Sequence, residues 1–140
     1  MANTWQSPVA GEPSSGTLHF LATPVLILNR GAATTFTDVD CSASVPAGAK
    51  AILFHARCQA ICGTGTSYNC LHMRKNGSAV TGDGWRYLEI YITPAINGTI
   101  MEVAGEATVE CDAGRIIEYF NNTGGATDAI STLNIVGYYA

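Results

Sequence analysis

The sequence predicts an all-β chain, an antiparallel β-sandwich of about eight strands with jelly-roll-like character, preceded by an extended N-terminal arm. Three observations carry that prediction. From Leu18 onward, runs rich in β-branched and aromatic residues recur, each bounded by Gly, Pro, Asn or Asp. No apolar stripe at helical spacing is sustained anywhere. Residues 35–56, TFTDVDCSASVPAGAKAILFHA, read as two β runs joined by a Val-Pro-Ala-Gly turn.

Taken in order, residues 1–17 mix Pro8, Pro13, Gly11, Gly16 and three serines with one aromatic, Trp5, and read as an arm rather than a packed element. Such an arm either lacks fixed structure or docks on a neighbouring subunit. Residues 18–140 form the single β-sandwich domain. Its expected strands are 19–21 with 25–28, then 34–40, 51–61, 67–75, 86–92, 99–111 with a break at Gly105 left open, 115–120 and 132–139. Short strands at this spacing suit a sandwich or jelly roll.

Two hairpins can be written residue by residue. A loop over 63–66 pairs the third and fourth strands, so that Phe54, Ala56 and Cys58 share the core face with Leu71 and Met73. The other face then carries His55, Arg57 and Gln59 beside Cys70, His72 and Arg74, with Arg57 opposite His72 and His55 opposite Arg74. The second hairpin, ATVEC-DAG-RIIEY, places Gly114 in the left-handed position of a bulge, Val109 against Ile117, and Ala107 against Tyr119. Glu110 and Glu118 fall on the wetter side. In the final run, STLNIVGYYA, Leu133, Ile135 and Gly137 alternate, and the strand is tied into the sheet to its end.

At 140 residues the chain can bury roughly 68% of its unfolded surface and needs no staples. Its net charge of -4 gives no general attraction to nucleic acid. Charged residues make up 13% of the chain, well below the quarter usual for globular domains, so part of the uncharged surface is expected to be covered by another subunit. No run approaches the roughly 20 apolar residues of a membrane span. The opening residues lack the basic start and apolar middle of a signal peptide, so synthesis and folding are expected in a cytoplasm. Five cysteines (Cys41, Cys58, Cys62, Cys70, Cys111), an odd number, then read as free, buried thiols.

Chemistry-bearing patterns are sparse. Cys58, Cys62 and Cys70 with His72 have the donor types of a zinc site, but their spacing is not that of paired knuckles, and the register puts Cys70 on the opposite face from the other two. No metal and no cofactor is expected. None of His19, His55 and His72 sits in a nucleophile setting such as Gly-x-Ser-x-Gly, so the chain is not read as an enzyme. The acidic residues Asp38, Asp40, Glu89, Glu102, Glu106, Glu110, Asp112 and Glu118 read as solvated strand positions, with no calcium loop among them. His55, Arg57, His72 and Arg74, with Lys75, are the local concentration of positive charge. They form either a contact surface for an acidic partner, a neighbouring subunit or a glycan, or an ordinary polar sheet face. With Trp5 they are the candidate partner-binding residues. The tripeptides beginning at Asn76, Asn97 and Asn121 read as turns.

A β run ending near Asp-Val-Asp, then SVPAGAKAILF, then strands leading to LHMRKNGS, resembles the small jelly-roll proteins of tailed-bacteriophage virions, and VECDAGRIIEYFN and STLNIVGYYA resemble their closing strands. The likeness runs from about Thr34 to the last residue. It implies a virion component assembled in the host cytoplasm, usually a homotrimer. That component is either a capsid decoration (cement) protein binding the major capsid protein or other virion subunits, or a tail-fibre or spike module that binds a receptor or carbohydrate. In the second case Trp85, Tyr87, Tyr91 or Tyr138 would stack on sugar rings. The resemblance supplies no catalytic residues. The cysteine richness and the Pro/Ser/Gly arm depart from the group.

Overall fold

The third strand sets the pattern for the molecule. In AILFHARCQAIC the even-numbered side chains Ile52, Phe54, Ala56, Cys58, Ala60 and Cys62 are all buried, while His55 between them is exposed. That period of two is what a strand with one face on a core requires. The computed structural model describes residues 16–79 and 86–140, the side chains of 86, 87 and 91–95 excepted, and the expected N-terminal arm, including Trp5, lies outside the described residues apart from Gly16 and Thr17.

Eight strands follow in chain order: β1 (Leu18–Gly31), β2 (Thr37–Asp40), β3 (Ala51–Cys62), β4 (Gly65–Lys75), β5 (Arg86–Ala95), β6 (Ile100–Glu110), β7 (Ile116–Gly124) and β8 (Ala126–Tyr139). They form two four-stranded antiparallel sheets packed face to face. Sheet A has the order β1-β8-β3-β6 and sheet B the order β2-β7-β4-β5. The chain alternates between the sheets at nearly every connection, which is jelly-roll connectivity. The expected fold class is therefore the observed one. Gly105 does not break β6, which pairs with β3 along its whole length.

The interior is built from both sheets. Phe54, Ile52, Leu133 and Ile135 of sheet A meet Leu71, Met73 and Ile117 of sheet B, all fully buried. At about 1.5–3 kcal/mol for each large apolar side chain, burial of this cluster is the main stabilising contribution. The buried Cys58 thiol donates across the interior to the Asn69 carbonyl at 3.7 Å.

Both expected hairpins are corrected by the sheet order. β3 pairs with β6 and β8, not with β4, and β6 does not pair with β7. The residues assigned to the core are in the core, yet they face one another across the sandwich instead of along a ladder. A two-residue link, Gly63 and Thr64, carries the chain from sheet A to sheet B. Gly63 N–H donates to the Gly125 carbonyl at 2.9 Å, and a Cβ at Gly63 would overlap that same oxygen, so only glycine lets the two corners touch. The turn after β6 is tight, with Arg115 N–H bonded to the Asp112 carbonyl at 3.0 Å. Its left-handed residue is Arg115 (φ 64°), not Gly114. Asn76-Gly77 and Asn97-Gly98 are turns, as their composition predicts, each with the glycine at positive φ. Asn121 to Thr123, expected as a turn, lies within β7.

The Val-Pro-Ala-Gly turn has the expected form. Ala49 N–H bonds to the Pro46 carbonyl at 3.3 Å, and Gly48 at φ 90° takes the position that a type II turn reserves for glycine. The last strand is held to its end by reciprocal bonds between Thr17 and Ala140.

Candidate functional site

The four positive candidates do not form one patch. Because β3 and β4 belong to different sheets, His55 and Arg57 point outward from sheet A while His72 and Arg74 belong to the outer layer of sheet B, on the opposite side of the molecule. His55 is exposed, level with Glu106 on β6 and Asn134 on β8. Arg57 pairs with Glu102 at 3.3 Å, both side chains well solvated.

His72, expected on a polar outward face, is fully buried. Its ring stacks on Phe120 with centroids 4.5 Å apart, and Phe120 meets Phe36 edge-on at 4.6 Å. The Arg74 guanidinium lies 3.6 Å from the Phe36 ring centroid and donates to Glu118 at 2.7 Å. Aromatic residues on the outer face of sheet B thus bury a layer that alternation alone assigns to solvent. The aromatic doublet Tyr119-Phe120 was the available signal, since one ring must point away from the core if the other points in.

A cleft of about 280 Å³ opens where β3 begins and β4, β6 and β8 end. Both lysines of the chain, Lys50 and Lys75, line it, together with Glu110, Cys111, Asp112 and Tyr139. Burial, then the Asp112 charge, holds the Cys111 thiol above its ordinary range, and its Sγ donates to the Ala49 carbonyl at 3.4 Å. A thiol kept protonated is a poor nucleophile. Asp112 is committed to the turn: Oδ1 accepts from Ile116 N–H at 2.8 Å and Oδ2 from the Asn76 amide at 2.9 Å. The cleft therefore offers mixed charge without an activated group.

No family model matches the chain, and no curated protein matches it.

Among the described residues, four large apolar side chains stand exposed. Phe20 (72%) and Leu26 (51%) lie on β1, while Ile96 (74%) and Ile100 (63%) lie at the turn into β6. β1 and β6 are the two margins of sheet A, so Ile100, the first residue of β6, stands on the opposite edge from Phe20 and Leu26, while Ile96 lies in the connection from β5 of sheet B. The run HFLATPVLIL is apolar at both parities, which was the sequence signal for a strand with apolar groups on both faces. Strand addition at the margins is discouraged. β1 contains Pro24 within a register shift, β5 contains Pro94, β2 is four residues long, and β6 presents Glu102, Glu106 and Glu110 outward. Backbone pairing with another sheet at these edges is thereby disfavoured.

Of the remaining candidates, Trp5 and Trp85 lie outside the described residues, as do the side chains of Tyr87 and Tyr91. Tyr138 stacks on His19 with centroids 5.1 Å apart. Among the described residues no group of three or more His, Cys, Asp or Glu side chains is placed to hold a metal.

Proposed function

We propose that this chain is a structural virion protein, a capsid decoration (cement) protein that binds the major capsid protein and stabilises the shell. It acts by binding alone, as a homo-oligomer, with assembly in the host cytoplasm. The observation that carries the reading is the exposure of Phe20, Leu26 and Ile100 on the two marginal strands of sheet A, and of Ile96 in the turn into β6, in a jelly roll whose edges resist strand addition. Jelly rolls recur in viral capsid domains, and exposed apolar groups on a chain with 13% charged residues are what a lattice-bound subunit requires. Apolar area buried between neighbours, at about 25 cal/mol per Å² before association costs, would reinforce the joints of a shell.

Co-sedimentation tests this directly. Purified chain is mixed with empty capsids of the major capsid protein produced with it. Saturable binding and a higher capsid disruption temperature are expected. Capsids that pellet without the chain and melt at an unchanged temperature would refute the proposal.

A further inference from the structure

The two margins of sheet A differ in charge as well as sharing apolar character. β1, LHFLATPVLILNRG, contains Arg30 and no acidic residue, whereas β6, IMEVAGEATVE, contains three glutamates and no basic residue. Arg30, Glu106 and Glu110 are exposed and have no ion-pair partner among the described residues. From these margins we infer that β1 of one copy docks beside β6 of the next, head to tail, so that identical chains close into a ring. This rests on the assembly reading above and names the surface through which it operates.

The register makes the match specific. Phe20 continues through Gly137 and Leu53 to Thr108, and Leu26 continues through Asn134 and His55 to Glu106. Phe20 and Thr108, and likewise Leu26 and Glu106, are therefore the two ends of common cross-strand rows, about 14 Å apart at ordinary strand spacing. Arg30 falls between Leu28, whose row ends at Gly105, and Gly31, whose row ends at Val103. A neighbour set alongside at the same level thus receives Arg30 between its Glu102 and Glu106. Leu26 covers the Glu106 stem, and Ile100 reaches toward the exposed Ala32 and Thr34 beyond β1. Two unlike surfaces on opposite edges make a heterologous contact, which leaves one edge uncovered in any open dimer and none in a closed ring. The opposed charges also favour this pairing over β1 with β1 or β6 with β6.

The test uses native mass and dissociation measured by dilution on the full chain. Phe20→Asp, Arg30→Glu and Glu106→Arg alter exposed side chains, and circular dichroism confirms that each variant is folded. Each is expected to weaken association by tenfold or more. The double variant Arg30→Glu with Glu106→Arg is expected to recover to within about threefold of the parent. A parent chain that stays monomeric at all concentrations overturns both this interface and the oligomeric reading beneath it. An oligomer indifferent to all three single changes, or single losses that the double variant does not recover, overturns the interface alone.

Discussion

Ser131 Oγ donates to Asn121 Oδ1 at 2.6 Å, joining β8 of sheet A to β7 of sheet B through the interior of the sandwich. Both residues are almost wholly buried. The Asn121 amide also donates from Nδ2 to the Gly31 carbonyl at 3.0 Å, and its backbone N–H bonds to the Ala33 carbonyl at 2.8 Å. One residue therefore clamps both β1 and the segment leading to β2: its side chain holds the end of β1 and Ser131 of β8, and its backbone N–H holds Ala33.

Asn121→Ala leaves the Ser131 hydroxyl and the Gly31 carbonyl without these partners. At about 1–3 kcal/mol for each orphaned buried group, a total loss of roughly 2–6 kcal/mol is expected. Equilibrium urea denaturation measures it, and an unchanged midpoint would show that the clamp contributes nothing.

The two ion pairs among the described residues should differ sharply in value. Arg74 and Glu118 are about 14% and 13% exposed, so Glu118→Gln is expected to cost about 3 kcal/mol. Arg57 and Glu102 are 40% and 45% exposed, and Glu102→Gln should change stability by about 0.5 kcal/mol or less. Comparable losses from both changes would contradict the burial assigned to the outer layer of sheet B.

All five cysteines are free and buried, and burial pushes the Cys41 and Cys58 thiols up to about 12. At pH 8 roughly one in ten thousand of those two groups would be thiolate, the reactive form. A thiol-specific dye should label essentially none of the native protein within minutes and five groups after denaturation. Rapid labelling of the native chain would overturn the inert reading.

Asp112 has its carboxyl held below the usual range by the Ile116 N–H and then the Asn76 amide, and Asp40 by the Ser42 hydroxyl and N–H. A carboxyl lowered on folding contributes stability above its unfolded value, and that contribution is lost as pH falls through the folded value. Stability should decline below about pH 4. Asp112→Asn should flatten that decline, as read from melting temperatures between pH 2.5 and 7. A mutant whose acid dependence matches the parent would show that Asp112 is not a source of it.

The alternation in AILFHARCQAIC and STLNIVGYYA was enough to place Phe54, Cys58, Leu133 and Ile135 inward, because side-chain parity is a local property of a strand. Pairing is not local. The Gly63-Thr64 link is as compatible with a hairpin as with a crossing between sheets, and only the long-range fit of β3 between β6 and β8 decides it. That one misassignment placed His55, Arg57, His72 and Arg74 together. His72 escaped for a further reason: it is covered by Phe120, 48 positions away in sequence but level with it in the ladder. The exposed pair Phe20 and Leu26 was legible as a strand apolar on both faces. Their positions, Phe20 level with Thr108 and Leu26 level with Glu106 across the sheet, required the sheet order.

A cryo-EM map of intact virions carrying this chain tests the central proposal most directly. Repeated density for the sandwich on the outer capsid lattice, in closed rings seated on the major capsid protein, is the expected result. Density confined to a tail tip, with a bare capsid surface, would contradict it.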